Sequence, residues 1–140
     1  MSTVEVNQDN FTQTIEDNDI VVVDAWASWC GPCRAFAPVF EKASEKHDDI
    51  VFAKLDTEAN QVLAQQLQVQ SIPTLFAFRE GVLLGSTSGA MPPAALDEFL
   101  QAIRDVDMKQ VHDEIAAQNA QLADADGVDP AAEVDAEDEL

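Results

Sequence analysis

Cys30 and Cys33 are the only cysteines in the chain, and only Gly31 and Pro32 separate them. A pair this close cannot tie distant parts of a small secreted domain together, so its spacing points to chemistry rather than to scaffolding. Ahead of the pair, Ile20-Val21-Val22-Val23-Asp24-Ala25-Trp26 is a nearly unbroken β-branched run, and behind it Phe36, Val39, Phe40 and Ala43 recur at helical spacing. The pattern predicts a buried strand that ends just before the cysteines and a helix over about 32–46 that begins at them. Cys30 then sits at a helix N-terminus, where unpaired backbone amides point towards its sulfur and favour the thiolate. A helix-end interaction of about 1 kcal/mol lowers a thiol pKa by something under one unit, and local hydrogen bonds add to it. Cys33, one turn further on and shielded by the helix, is the natural resolving thiol. In the reaction this implies, Cys30 attacks a disulfide and forms a mixed disulfide, and Cys33 then displaces the reduced product while closing the Cys30–Cys33 bond.

Proton transfer to and from Cys33 needs a nearby group. Asp24 is the candidate, because a carboxylate inside an apolar strand is desolvated and its pKa rises towards neutrality. Taken alone, the same residue also reads as a satisfied structural carboxylate. Lys54, on the next predicted strand, either shares the Asp24 pocket or reaches solvent as a strand-end lysine. Pro32 falls early in the helix, where its missing N–H has no cost, and its ring stiffens the loop between the sulfurs. Trp26 reads as a core residue, and Trp29, next to the nucleophile, as one that faces partners. A zinc site needs four ligands; His47 and His112 lack ligand-like spacing and read as surface residues, so no metal is expected.

The elements that must position these residues follow from periodicity. Asn7 can cap a short helix carrying Phe11 and Ile15. Ile50 to Asp56 reads as a second buried strand, followed by a helix marked by Ala59, Val62, Leu63 and Leu67. Ser71-Ile72-Pro73-Thr74 leads into Leu75-Phe76-Ala77-Phe78, and Arg79-Glu80-Gly81 turns the chain into Val82-Leu83-Leu84 as an antiparallel hairpin. Leu96, Phe99, Leu100 and Ile103 define a last helix. The whole is an α/β fold, a mixed sheet with helices on both faces. Pro38, inside the second helix, predicts a kink.

Charge narrows the function further. The 140 residues carry a net charge of −20 with only 7 lysines and arginines, which argues against nucleic acid and against an anionic membrane surface. No signal-peptide pattern and no run near roughly 18 apolar residues is present, so a soluble cytoplasmic protein is expected. Residues 1–104 are net −9 and residues 105–140 net −11. We therefore expect one catalytic domain over 1–106 and an acidic extension over 107–140. Val111, Ile115 and Leu122 give that extension a weak helical stripe, and disorder is expected from Ala123 to Leu140. A solvated solubility segment, an extra helix or partner-docking element, and adaptation to high salt are the readings open for it.

Asp24-Ala25-Trp26-Ala27-Ser28-Trp29-Cys30-Gly31-Pro32-Cys33-Arg34, Pro38, Ala53-Lys54-Leu55-Asp56, Ile72-Pro73-Thr74, Gly81 and Gly89 together resemble the thioredoxin family over roughly residues 4–104. The resemblance implies a βαβαβαββα fold, Cys30 as nucleophile, Cys33 as resolving cysteine, Asp24 as the buried proton-transfer group and Pro73 in cis beside the disulfide. It implies a substrate-docking surface from Trp29, Gly31, Pro32, Ile72, Pro73 and Gly89. It also implies a monomer with no bound cofactor beyond the redox-active Cys30–Cys33 disulfide, acting on protein disulfides and reduced by a thioredoxin reductase. Ala25 stands where the family often has Phe, and Arg34 where it often has Lys; neither change removes a catalytic group. The acidic extension has no counterpart in a minimal thioredoxin. It keeps open a second reading, a non-catalytic module that holds a client or assembly partner.

Overall fold

The computed structural model describes residues 3–128, with side chains described to Leu122. The apolar runs form the strands that their composition favours: β2 (Ile20–Trp26) and β3 (Ile50–Asp56) pair in parallel, Ile20 opposite Ile50 through Trp26 opposite Asp56. A short β1 (Val4–Val6) extends the sheet beyond β3, also in parallel. On the other side, β4 (Thr74–Arg79) runs antiparallel to β2, and β5 (Val82–Ser88) antiparallel to β4. The resulting order is β1-β3-β2-β4-β5. Glu80 and Gly81, at φ 53° and 79°, make the tight β4–β5 turn; two successive positive φ values match the twist of the flanking strands.

Helices cover both faces, because alternate residues of a strand point to opposite sides. On one side α2 (Gly31–Lys46) and α4 (Pro93–Arg104) supply Phe36, Phe40, Leu96, Leu100 and Ile103 against Ile20, Val22, Phe52 and Leu75. On the other, α1 (Phe11–Asp17) and α3 (Gln61–Gln66) bring Phe11, Ile15 and Leu63 onto Val21, Val23, Leu55 and Phe76. The mixed sheet between helices expected from the sequence is what the chain forms.

Several local expectations are corrected. Asn7 caps a turn rather than a helix: its Oδ1 accepts from the N–H groups of Asp9 and Asn10, and α1 starts four residues later. Val62 is half exposed, so only Leu63 and Leu67 anchor α3. His47 is not a free surface residue. Its Nε2 lies 3.2 Å from Asp97, its Nδ1 2.9 Å from Arg104, and Arg104 holds Asp49 with two hydrogen bonds of 2.8 Å. A guanidinium only donates, so Nδ1 accepts and the ring proton sits on Nε2.

The chain divides into two compact units, the first ending at Asp105. The second contains α5 (Met108–Val128), opened by Asp107, whose Oδ1 accepts from the Gln110 N–H at 3.2 Å, and supported by a Lys109–Asp113 pair at 2.9 Å. Disorder expected from Ala123 is thus corrected as far as Val128, where alanines, the strongest helix formers, continue the helix. The rest of that expectation, residues 129–140, lies outside the described residues. Among the described residues no helix is long and apolar enough to cross a membrane.

Candidate active site

Cys30 is the N-cap of α2, in extended conformation, and its Sγ accepts the backbone N–H of Cys33 at 3.1 Å. One orphan amide of the helix end is thereby spent on sulfur, as the strand-to-helix junction in the sequence requires. Cys30 and Cys33 form a disulfide across one turn, with Cα atoms 5.2 Å apart. Pro32 occupies the first turn, where no N–H is needed. Burial does not separate the two sulfurs: Cys30 is 5% and Cys33 3% exposed, while Trp29 beside them is 66% exposed.

A loop from the far side of the sheet closes over this turn. Ile72 packs against Ala27, Cys30 and Cys33, and its carbonyl oxygen lies 3.8 Å from Cys30 Sγ. The Ile72–Pro73 peptide is cis. Gly89, at φ 99°, donates its N–H to the Pro73 carbonyl at 2.8 Å, and the Thr74 hydroxyl donates to the Ser71 carbonyl. A shallow cleft of about 200 Å³ follows, lined by Trp29, Thr57, Val69 and Ile72 among others. Trp29, Ile72, Pro73 and Gly89 are therefore gathered around the disulfide. Gly31 stands apart in its reason for being glycine: a Cβ there would meet only the Arg34 guanidinium at 4.0 Å, so nothing within the chain demands it. Arg34 donates to the Ser28 carbonyl at 2.8 Å.

Asp24 lies deeper. It shares a sheet face with Ile20 and Val22, the face that α2 covers with Cys33, Phe36 and Phe40. It is 1% exposed, and its Oδ1 has no hydrogen-bond partner among the described residues. Burial pushes its carboxyl from 3.8 up to about 7, against the opposing pull of the Lys54 ammonium. Lys54 is its direct register partner, with Nζ 4.8 Å from the centre of the Trp26 ring. Trp26 is half-buried, and its indole N–H also has no partner among the described residues. Among the described residues no cluster of three or more His, Cys, Asp or Glu side chains could hold a metal. Periodicity alone passes over Glu5, which the register sets opposite Lys54; only the strand pairing exposes it.

Comparison with known proteins accords with this geometry. The thioredoxin family model matches residues 2–102. A Streptomyces coelicolor protein named "Putative thioredoxin 2" is 49% identical over 120 residues, covering 86% of this chain and 90% of its own. A match of that length must reach residue 120 at least, so it takes in more than half of α5. A thioredoxin of Mycobacterium tuberculosis is 43% identical over 97 residues, covering 68% of this chain and 84% of its own. Among solved structures, spinach chloroplast thioredoxin f superposes with a TM-score of 0.69 at 37% identity, over 74% of this chain and 95% of its own. With the family model spanning most of the chain and a cysteine pair joined at the head of α2, the chain belongs to the thioredoxin family of protein disulfide oxidoreductases.

Proposed function

We propose that this protein reduces disulfides in other proteins by dithiol–disulfide exchange through Cys30-Gly31-Pro32-Cys33, with a cytoplasmic thioredoxin reductase as electron donor. The observation that carries the direction of attack is the Cys33 N–H donated to Cys30 Sγ at the head of α2, which stabilises negative charge on that sulfur and on no other. The Cys30 thiolate attacks one sulfur of the substrate disulfide, and the other leaves as a thiolate that takes a proton from water. Asp24, whose carboxyl burial raises to about 7, accepts the Cys33 proton. The Cys33 thiolate then attacks Cys30 Sγ and expels the second substrate thiol. Two electrons have passed to the substrate, and the Cys30–Cys33 bond has closed. The reductase returns two electrons and two protons.

Trp29 and the cleft beside Ile72 and Val69 supply an apolar bed for the substrate chain, and the open side of Gly31 lets that chain approach the sulfur closely. Insulin-disulfide reduction driven by NADPH and a thioredoxin reductase tests this reading. Catalytic turnover by the full chain, absent in Cys30→Ser, is the expected result. If a protein lacking both cysteines supports the same cellular role, the binding-module reading replaces this one.

A further inference from the structure

The strand register aligns three ionisable side chains in one row. Glu5 of β1 is the direct partner of Lys54, and Lys54 is the direct partner of Asp24. Neighbouring strands lie about 5 Å apart, and directly paired residues point to the same face, so Lys54 stands between two carboxylates. Along the row burial falls from Asp24, buried, through Lys54, half-buried, to Glu5, exposed at the sheet edge. Glu5, Asn7, Trp26, Lys54, Asp56 and Asn60 line a polar cleft of about 240 Å³ at that edge. Asp56 is the other carboxylate lining that cleft; its Oδ1 accepts from the N–H groups of Glu58 and Ala59 at 2.9 and 3.2 Å, which holds it at the end of β3.

We propose that Glu5 is a positioning residue for proton transfer: it competes with Asp24 for the Lys54 ammonium across one strand, and so keeps the Asp24 carboxyl able both to take and to return a proton. An ammonium given wholly to Asp24 fixes it as an anion that cannot return a proton. Without the ammonium, burial fixes it as an acid that cannot take one. Glu5 sets the balance from a position that touches neither sulfur nor substrate. The inference rests on the reading of Asp24 as the acid/base group, and it assigns to the polar cleft the role of tuning that group from the solvent side.

The test is a carbon-13 titration of the Asp24 carboxyl in the oxidised full-length protein, where the disulfide leaves neither cysteine to titrate. Glu5→Gln is expected to lower the Asp24 midpoint by about half a pH unit, the size expected for a partly solvated charge this close. Lys54→Met raises the midpoint, and in that background Glu5→Gln moves it by far less, since the ammonium that carried the effect is gone. The pH profile of mixed-disulfide resolution shifts with the midpoint in Glu5→Gln. A midpoint unmoved by Glu5→Gln, or moved equally with and without Lys54, overturns the inference and leaves the Asp24 reading intact. A resolution profile that keeps its inflection in Asp24→Asn overturns that reading and the inference with it.

Discussion

The central strands β2 and β3 present two faces built by the same alternation but of different character. Towards α1 and α3 they show Val21, Val23, Ala25, Val51, Ala53 and Leu55, all apolar. Towards α2 and α4 the same strands show Ile20, Val22 and Asp24, and Ile50, Phe52 and Lys54. One face is a plain core. The other gives up some stability at its end nearest the cysteines to hold a carboxyl that titrates close to neutral pH. The buried carboxyl is thus a local exception on a face otherwise packed for stability, placed where α2 begins.

Moving the exception across the sheet is expected to have the largest effect. Val23→Asp puts a carboxylate at a fully buried position of the plain face, with no lysine as register partner, and is expected to destabilise the protein by about 5 kcal/mol at pH 8. Chemical denaturation checks this; a loss under 1 kcal/mol would mean the two faces tolerate charge alike.

Removing the exception has a smaller effect of opposite sign. Asp24 has its folded-state carboxyl raised to about 7 from 3.8, so between about pH 4 and 7 the unfolded chain releases a proton that the folded chain keeps. The unfolded state binds fewer protons there, stability falls as pH rises through that window, and the loss is complete above it. Asp24→Asn is therefore expected to stabilise the protein at pH 8 by up to roughly 4 kcal/mol, with the difference fading near pH 4. The same variant slows resolution of the mixed disulfide. Denaturation curves at several pH values, beside stopped-flow measurements, read both effects.

Gly89→Ala gives the smallest change. No atom blocks the new methyl group, but φ 99° disfavours a side chain there. A stability loss of about 1 kcal/mol is expected, accompanied by weaker substrate binding as the hydrogen bond to the Pro73 carbonyl is disturbed. Thermal melting and KM for a protein disulfide separate these two consequences.

How much of this was legible in the sequence depended on how local each cause was. β2 is read residue for residue from its β-branched run, and α2 to within one residue from its apolar stripe. The strand-to-helix junction places both cysteines for the same reason. β5, by contrast, reads as ending at Leu84 yet runs to Ser88, because Gly85-Ser86-Thr87-Ser88 has no hydrophobic alternation and is held in strand by its pairing with β4. Equally, β1 is three residues long and too short for a periodic signal. His47 reads as a surface residue because its partners, Asp97 and Arg104, are fifty and more positions away. Lys54 beside Asp24 is one of the sequence readings, but Glu5 joins that pair only through the register of β1 with β3, which no local pattern announces.

The central claim is that Cys30 attacks and Cys33 resolves. Trapping tests it most directly: the reduced full-length Cys33→Ser and Cys30→Ser variants are each mixed with a protein disulfide and analysed by intact mass. The account predicts that Cys33→Ser accumulates a covalent adduct on Cys30 while Cys30→Ser, which lacks the sulfur that the helix-end amide serves, forms little. Adduct formation mainly on Cys33 in the Cys30→Ser protein would contradict it.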